Sequence, residues 1–271
     1  MLVQRIITAI ILIPLTLLAL YYLSQFAFAL LTAFIALGGA WEWSHLMQLQ
    51  QRSQRWLYLM LMAFAFILGG LFIPVTLIFI SAFIWWLFAS MLIIFYPRAS
   101  KWWSESVFIR GLMGIFVLLP CWVSINFIRE QQHGFLALLF LFVIVWGADS
   151  AAYFVGKKWG KHKLAPSVSP GKSWQGLIGA LIMTVLIAGV TLSLCQIPFS
   201  IWPWAILLSL VTVLFSVVGD LFESMMKRAA CVKDSGRLIP GHGGLLDRID
   251  SLTAAAPVFV FGAWVLGTFL A

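Results

Sequence analysis

Long apolar runs alternate along this chain with short polar stretches. Runs at 6–22, 26–46, 56–74, 75–96, 107–127, 135–155, 174–195, 202–220 and 251–271 are each close to a membrane-crossing length. A helix needs roughly 20 apolar residues to cross the hydrocarbon core. The pattern predicts an all-α integral membrane protein of about nine transmembrane helices. The first run follows Arg5, and Ala27-Phe-Ala29 imitates a signal-peptidase site. The run is nevertheless long enough to span, and Ala27 already belongs to the next apolar segment, so it is read as an uncleaved first helix.

Composition agrees. The 271 residues are 63% hydrophobic and 10% charged, with a mean hydropathy of +1.04, outside the range of a soluble domain of this size. The net charge of +8 would suggest nucleic acid in a soluble protein. Here basic loops facing anionic headgroups explain it better, and no nucleic-acid partner is expected. Nine spans with the N-terminus inside put the loops at 47–55, 97–105, 156–173 and 224–250 on the cytoplasmic side and the C-terminus outside. Of the 17 Lys and Arg, Arg129 alone then falls outside. Cys121, Cys195 and Cys231 form no CxxC pair, which argues against a disulfide framework or structural zinc. No internal repeat or linker divides residues 1–271, which read as one polytopic domain.

Several polar residues fall within or beside the runs. Glu42, an intramembrane carboxylate and so a functional candidate by default, lies between Trp41 and Trp43 and reads first as an interfacial group that reaches water. Arg110 is placed to snorkel from the first turn of its span, and Trp85-Trp86 reads as packing. Asp149 is costly in lipid and should face a polar cavity or a cation. His133, alone in a short loop, carries no metal reading.

The densest chemistry lies at 224–250: Ser224-Met-Met-Lys227-Arg228, Lys233-Asp234-Ser-Gly236, Pro240-Gly241-His242-Gly243-Gly244, Asp247-Arg248-Ile-Asp250. These 27 residues hold five Lys/Arg, three Asp, one His and four Gly. Asp247 and Asp250, at i and i+3, share a face if a helix starts near Leu245. With a glycine-rich turn before them they suit a hard divalent cation such as Mg²⁺. Lys227, Arg228, Lys233, Arg237 and Arg248 supply donors for phosphate oxygens. Asp220 and Glu223 close the preceding apolar helix on the same face as Lys227. The alternative is a basic loop that meets only lipid headgroups.

The residue order resembles the signature of the phosphatidate cytidylyltransferases, the CDP-diacylglycerol synthases, at every fixed position from Ser224 to Asp250. Trp146-Gly-Ala-Asp149-Ser, Gly160-Lys-His162-Lys-Leu-Ala-Pro166 and Ser169-Pro-Gly-Lys172-Ser-Trp174-Gln-Gly176 are similar to that family's second polar region. The likeness is strongest over 140–256. Ala229 stands where many members carry an acidic residue after Lys-Arg, and Ala151 where many carry Gly.

The resemblance implies a multi-pass protein of the bacterial inner membrane, its active site facing the cytoplasm, and a homodimer. It implies transfer of the cytidylyl group of CTP to phosphatidate, giving CDP-diacylglycerol and pyrophosphate. The lipid phosphate would attack the α-phosphorus, so no protein nucleophile is required. Asp220, Asp247 and Asp250, completed by Asp149, would hold Mg²⁺, with a second cation such as K⁺ compatible with the set. Ser224, Lys227, Arg228, Lys233, Arg248 and Lys172 would meet substrate phosphates. Gly243 and Gly244 would allow close backbone approach. His242 is either an acid toward pyrophosphate or a donor that staples the loop, and Asp234 either a salt-bridge partner or a substrate contact. Three rivals fit less well, one of them an inactive lipid-binding paralogue, against which the intact signature argues. A CDP-alcohol phosphotransferase needs an Asp-Gly-x-x-Ala-Arg run that is absent. A transporter would carry its charges at mid-membrane and not at one face.

Overall fold

The structure is a computed structural model that describes residues 14–236, 238 and 243–267. Arg237, Pro240, Gly241 and His242 of the signature lie outside the described residues, as do the first eight and last four positions of the outermost predicted spans.

Residues 14–22 are helical (α1). Then follow α2 (Gln25–Leu46), α3 (Arg52–Leu71), α4 (Val75–Ile94), a single turn α5 (Lys101–Ser104), α6 (Val107–Glu130) and α7 (Gly134–Trp159). A hairpin of β1 (Lys163–Ala165) and β2 (Ser169–Ser173) precedes α8 (Trp174–Leu194), α9 (Trp202–Ala229) and α10 (Leu246–Val265). The starts are written locally. Ser24, Ser106 and Ser173 each accept a hydrogen bond from the backbone N–H three residues on, and Pro203 occupies the first turn of α9. Among the described residues, seven helices, α2–α4 and α6–α9, are long and apolar enough to cross a membrane. α10 is equally long but opens on Asp247, Arg248 and Asp250. The two-stranded antiparallel hairpin, Lys163 opposite Ser173, is the one addition to the expected all-helical architecture among the described residues.

Phe26, Phe34, Phe72, Phe108 and Leu194 are each more than 70% exposed, an apolar outer surface that suits lipid and not water. Inside, one buried cluster gathers Trp43, Trp86, Trp103 and Phe222, and another Leu138, Ile144, Phe259 and Val260. Trp85 and Trp86 are buried, in keeping with the packing reading.

Two expectations are corrected. Arg110 does not snorkel. It is 4% exposed and donates to Leu46 O at the C-terminus of α2 (3.4 Å) and to Gln48 Oε1 (3.2 Å), a position where a cation meets otherwise unpaired carbonyls. Glu42 does not reach water either; it is 2% exposed.

Candidate active site

α9 stays helical nine residues beyond the expected end of its span, to Ala229. Ser224, Lys227 and Arg228 therefore stand on a helix and not in a loop. Asp220, Glu223, Ser224 and Lys227 fall at i, i+3, i+4 and i+7 and share one face. On another face of α9, Phe222 sits among the rings of Trp43, Trp85 and Trp86, with centroids 6.2, 5.6 and 5.8 Å away. This packing fixes the rotation of α9 and so the direction of its acidic stripe. At Gly219 a Cβ would stand 2.5 Å from Asp250 O, so the missing side chain is what lets α10 approach closely enough to bring Asp250 beside Asp220 and Glu223.

Four segments supply the polar groups. From α9, Lys227 Nζ lies 3.3 Å from Glu223 Oε1 and 2.6 Å from Asp247 Oδ1 on α10. From β2, Lys172 Nζ lies 2.7 Å from Asp220 Oδ2, and Ser224 donates to Asp220 Oδ1 at 3.3 Å. From α7, Asp149 Oδ2 accepts from Ser251 Oγ of α10 at 3.2 Å. Asp250 Oδ1 accepts from Ser251 N at 2.8 Å. The hairpin is held by Arg228 Nε donating to Val168 O at 3.1 Å, and by Gln175 Oε1 accepting from the N–H groups of Lys161 and His162, both at 3.2 Å.

Asp247 is fully engaged. Lys227 takes one oxygen, while Ser235 N (3.2 Å) and Gly244 N (2.8 Å) donate to the other. Burial pushes its carboxyl up, but the hydrogen bond and charge of Lys227 outweigh that and hold it below its ordinary value. Gly243 turns the chain into α10 with φ +83°.

The carboxylates form a chain of electrostatic neighbours, Asp149 with Asp220, Asp220 with Asp250, Asp250 with Glu223, and Glu223 with Asp247. Lys172 and Lys227 neutralise only part of this charge. Both Glu223 oxygens are buried and receive no N–H or hydroxyl donor, the Lys227 contact having ion-pair distance but not hydrogen-bond geometry, while the Asp250 carboxyl stands within reach to share a proton with it. Buried negative charge in excess calls for a cation or a proton. Among the described residues no three Asp, Glu, His or Cys side chains converge as a ready metal centre. Mg²⁺, however, needs only one or two carboxylates and takes its remaining oxygens from water and substrate phosphates. The oxygen-only, net-negative set fits such an ion.

The rest of the signature is more dispersed. Lys233 and Arg248 are exposed, and Gly244 is buried. Asp234 is exposed and makes no ion pair among the described residues. Glu223, Ser235 and Ser251 join the site without having been assigned a role from sequence. The i, i+3 and i, i+4 spacing of Glu223 from Asp220 and Lys227 was the signal for the first.

Beside this cluster, an apolar cavity of about 500 Å³ opens between α4, the hairpin, α8 and α9. Leu221 and Trp174, neighbours in sequence of Asp220 and Ser173, line it together with Tyr96, Leu164 and Val218.

Residues 3–266 match the cytidylyltransferase family. The chain is similar to a phosphatidate cytidylyltransferase of Haemophilus influenzae, 40% identical over 96% of this chain and 98% of that one. It is also similar to phosphatidate cytidylyltransferases of Pseudomonas aeruginosa, 41% identical over 98% of each chain, and of Brucella suis, 36% identical over 96% of this chain and 92% of the relative.

Proposed function

This chain belongs to the cytidylyltransferase family, and from that membership we propose that it transfers the cytidylyl group of CTP to phosphatidate, releasing CDP-diacylglycerol and pyrophosphate. One observation carries the reading: a net-negative, lysine-lined cluster at one end of a membrane bundle lies beside an apolar cavity. A phosphate on a diacyl anchor needs that juxtaposition, with a polar place for the headgroup and an apolar one for the chains.

A phosphate oxygen of phosphatidate attacks the α-phosphorus of CTP, and the bond to the bridging oxygen of the β-phosphate breaks. Pyrophosphate leaves with that oxygen. Both reactants are anions, so the protein's task is to neutralise charge and align the two groups. Lys172 and Lys227, now on Asp220 and Asp247, are the ammonium groups best placed to turn to phosphate. Arg228 braces the hairpin that carries Lys172. Lys233 and Arg248, exposed at the rim, meet the incoming triphosphate. Asp220 and Asp250, with Glu223 and Asp149 beside them, would hold Mg²⁺, and Asp247 would join them when Lys227 turns away. The ion, when bound, screens the triphosphate and polarises the α-phosphoryl group.

The topology proposed with this function has nine spans, counting α1 and the part of α10 from Ser251 onward, with Asp247 and Asp250 at its cytoplasmic mouth. Its charged end faces the cytoplasm, where CTP is found, in the bacterial inner membrane. The alternation of charge supports it: Arg110 at the start of α6 pairs with the end of α2, whereas Arg129 at the end of α6 reaches Leu23 O at the opposite end.

Phosphatidate carrying ¹⁸O in its phosphate tests the direction of attack. Mass spectrometry is expected to find all of the label in CDP-diacylglycerol and none in pyrophosphate. Label in pyrophosphate would overturn the mechanism.

A further inference from the structure

Glu42 sits on α2, far in sequence from the signature, and its buried carboxylate is turned into it. Oε2 accepts from Leu246 N at 2.8 Å and from Ser235 Oγ at 3.3 Å, and Oε1 accepts from Leu238 N at 3.4 Å. Leu246 N is one of the first N–H groups of α10, which have no partner within the helix. Among the described residues no Lys or Arg forms an ion pair with Glu42. Its charge is answered by N–H and O–H dipoles and by the helix terminus.

The backbone is shaped around this carboxylate. A Cβ at Gly236 would collide with Glu42 Oε1, Cδ and Cγ, and one at Gly244 would stand 2.7 Å from Oε2. α2 itself is held rigidly at this level. Trp43 Nε1 donates to Arg110 O at 2.8 Å, and Arg55 donates to Ser44 Oγ at 2.9 Å and to Trp41 O at 3.3 Å. Glu42 thus clamps residues 235 and 238 on one side of the glycine-rich turn and residue 246 on the other to a fixed post.

We propose that Glu42 is a positioning residue for the transfer reaction, setting the place of the first turn of α10 and hence of Asp247 and Asp250. The inference rests on the function proposed above. It does not require Glu42 to touch substrate. Ser235 links the two groups directly, donating its hydroxyl to Glu42 and its N–H to Asp247.

The test uses full-length protein in detergent, with turnover expressed per folded molecule from size exclusion and thermal unfolding. Wild-type turnover is the control: its absence would count against the proposed function, and its presence isolates the role of Glu42. Glu42→Gln keeps the shape but loses the charge and turns an amide donor toward N–H groups. It is expected to lower kcat roughly 100-fold, the effect of an ångström-scale misplacement, while the KM for CTP changes less than threefold. Ser235→Ala, a smaller change that preserves the helices, is expected to lower kcat about fivefold. Gly236→Ala should be as damaging as Glu42→Gln in the wild-type background, yet add little to Glu42→Ala, because the same space is contested. Folded Glu42→Gln with wild-type kcat would overturn the proposal. So would additivity of Gly236→Ala with Glu42→Ala. If Glu42→Gln does not fold, wild-type turnover in Ser235→Ala overturns it.

Discussion

At the residue scale, the carboxylates divide by what already holds them. Asp220 is held by Lys172 and Ser224, whereas Asp250 forms no ion pair with a Lys or Arg among the described residues. Both are proposed cation ligands, and Asp220→Asn or Asp250→Asn is expected to lower kcat by about 10²–10³-fold with unfolding temperatures near wild type. Steady-state assays and thermal unfolding check this; retained activity in both would remove the cation reading. Asp247 acts first on stability. Its carboxyl titrates below the ordinary value, so its contribution is complete above the unfolded-state value and disappears as pH falls through the lower folded-state value. The stability gap between wild type and Asp247→Asn should therefore be constant above roughly pH 5 and close only below about pH 4. Thermal unfolding from pH 3 to 8 measures it. A gap that instead opens in acid would contradict the assignment.

At the element scale, α9 is the axis of the site. Its acidic stripe is aimed by Phe222, 1% exposed among three tryptophans. Phe222→Ala should cost about 3–5 kcal/mol of stability and lower turnover further than Leu207→Ala, which alters an exposed position on the same helix. The apolar runs placed the long helices, and the condition on which Asp247 and Asp250 share a face, a helix starting near Leu245, is met by α10 from Leu246. The length of α9 was less legible. Hydropathy falls at Asp220, yet a helix continues wherever its polar face finds partners, and Lys172, Asp247 and Asp250 are contributed by distant segments. Glu42 was misread for the same reason. Between two tryptophans it looks interfacial, and nothing local reveals that three donors from residues 235–246 converge on it. The hairpin was hidden because Lys163–Ser173 is basic and short, without the alternation that marks a strand.

At the scale of the whole molecule, the proposed topology makes a prediction from native residues. Cys231 and Cys195 are both exposed, whereas Cys121 is buried. Cys231 follows α9 at the charged end, and Cys195 caps α8 at the other. A membrane-impermeant maleimide should label Cys231 in inverted vesicles and Cys195 in intact spheroplasts, read in Cys195→Ser and Cys231→Ser proteins respectively. The reverse pattern would turn the site away from CTP.

The most direct measurement is the reaction itself. Purified protein in detergent, given phosphatidate, CTP and Mg²⁺, is expected to form CDP-diacylglycerol and pyrophosphate in equal amounts and to stop on addition of EDTA. Pyrophosphate without liponucleotide, or no product from protein shown to be folded, would contradict cytidylyl transfer to phosphatidate as the function of this chain.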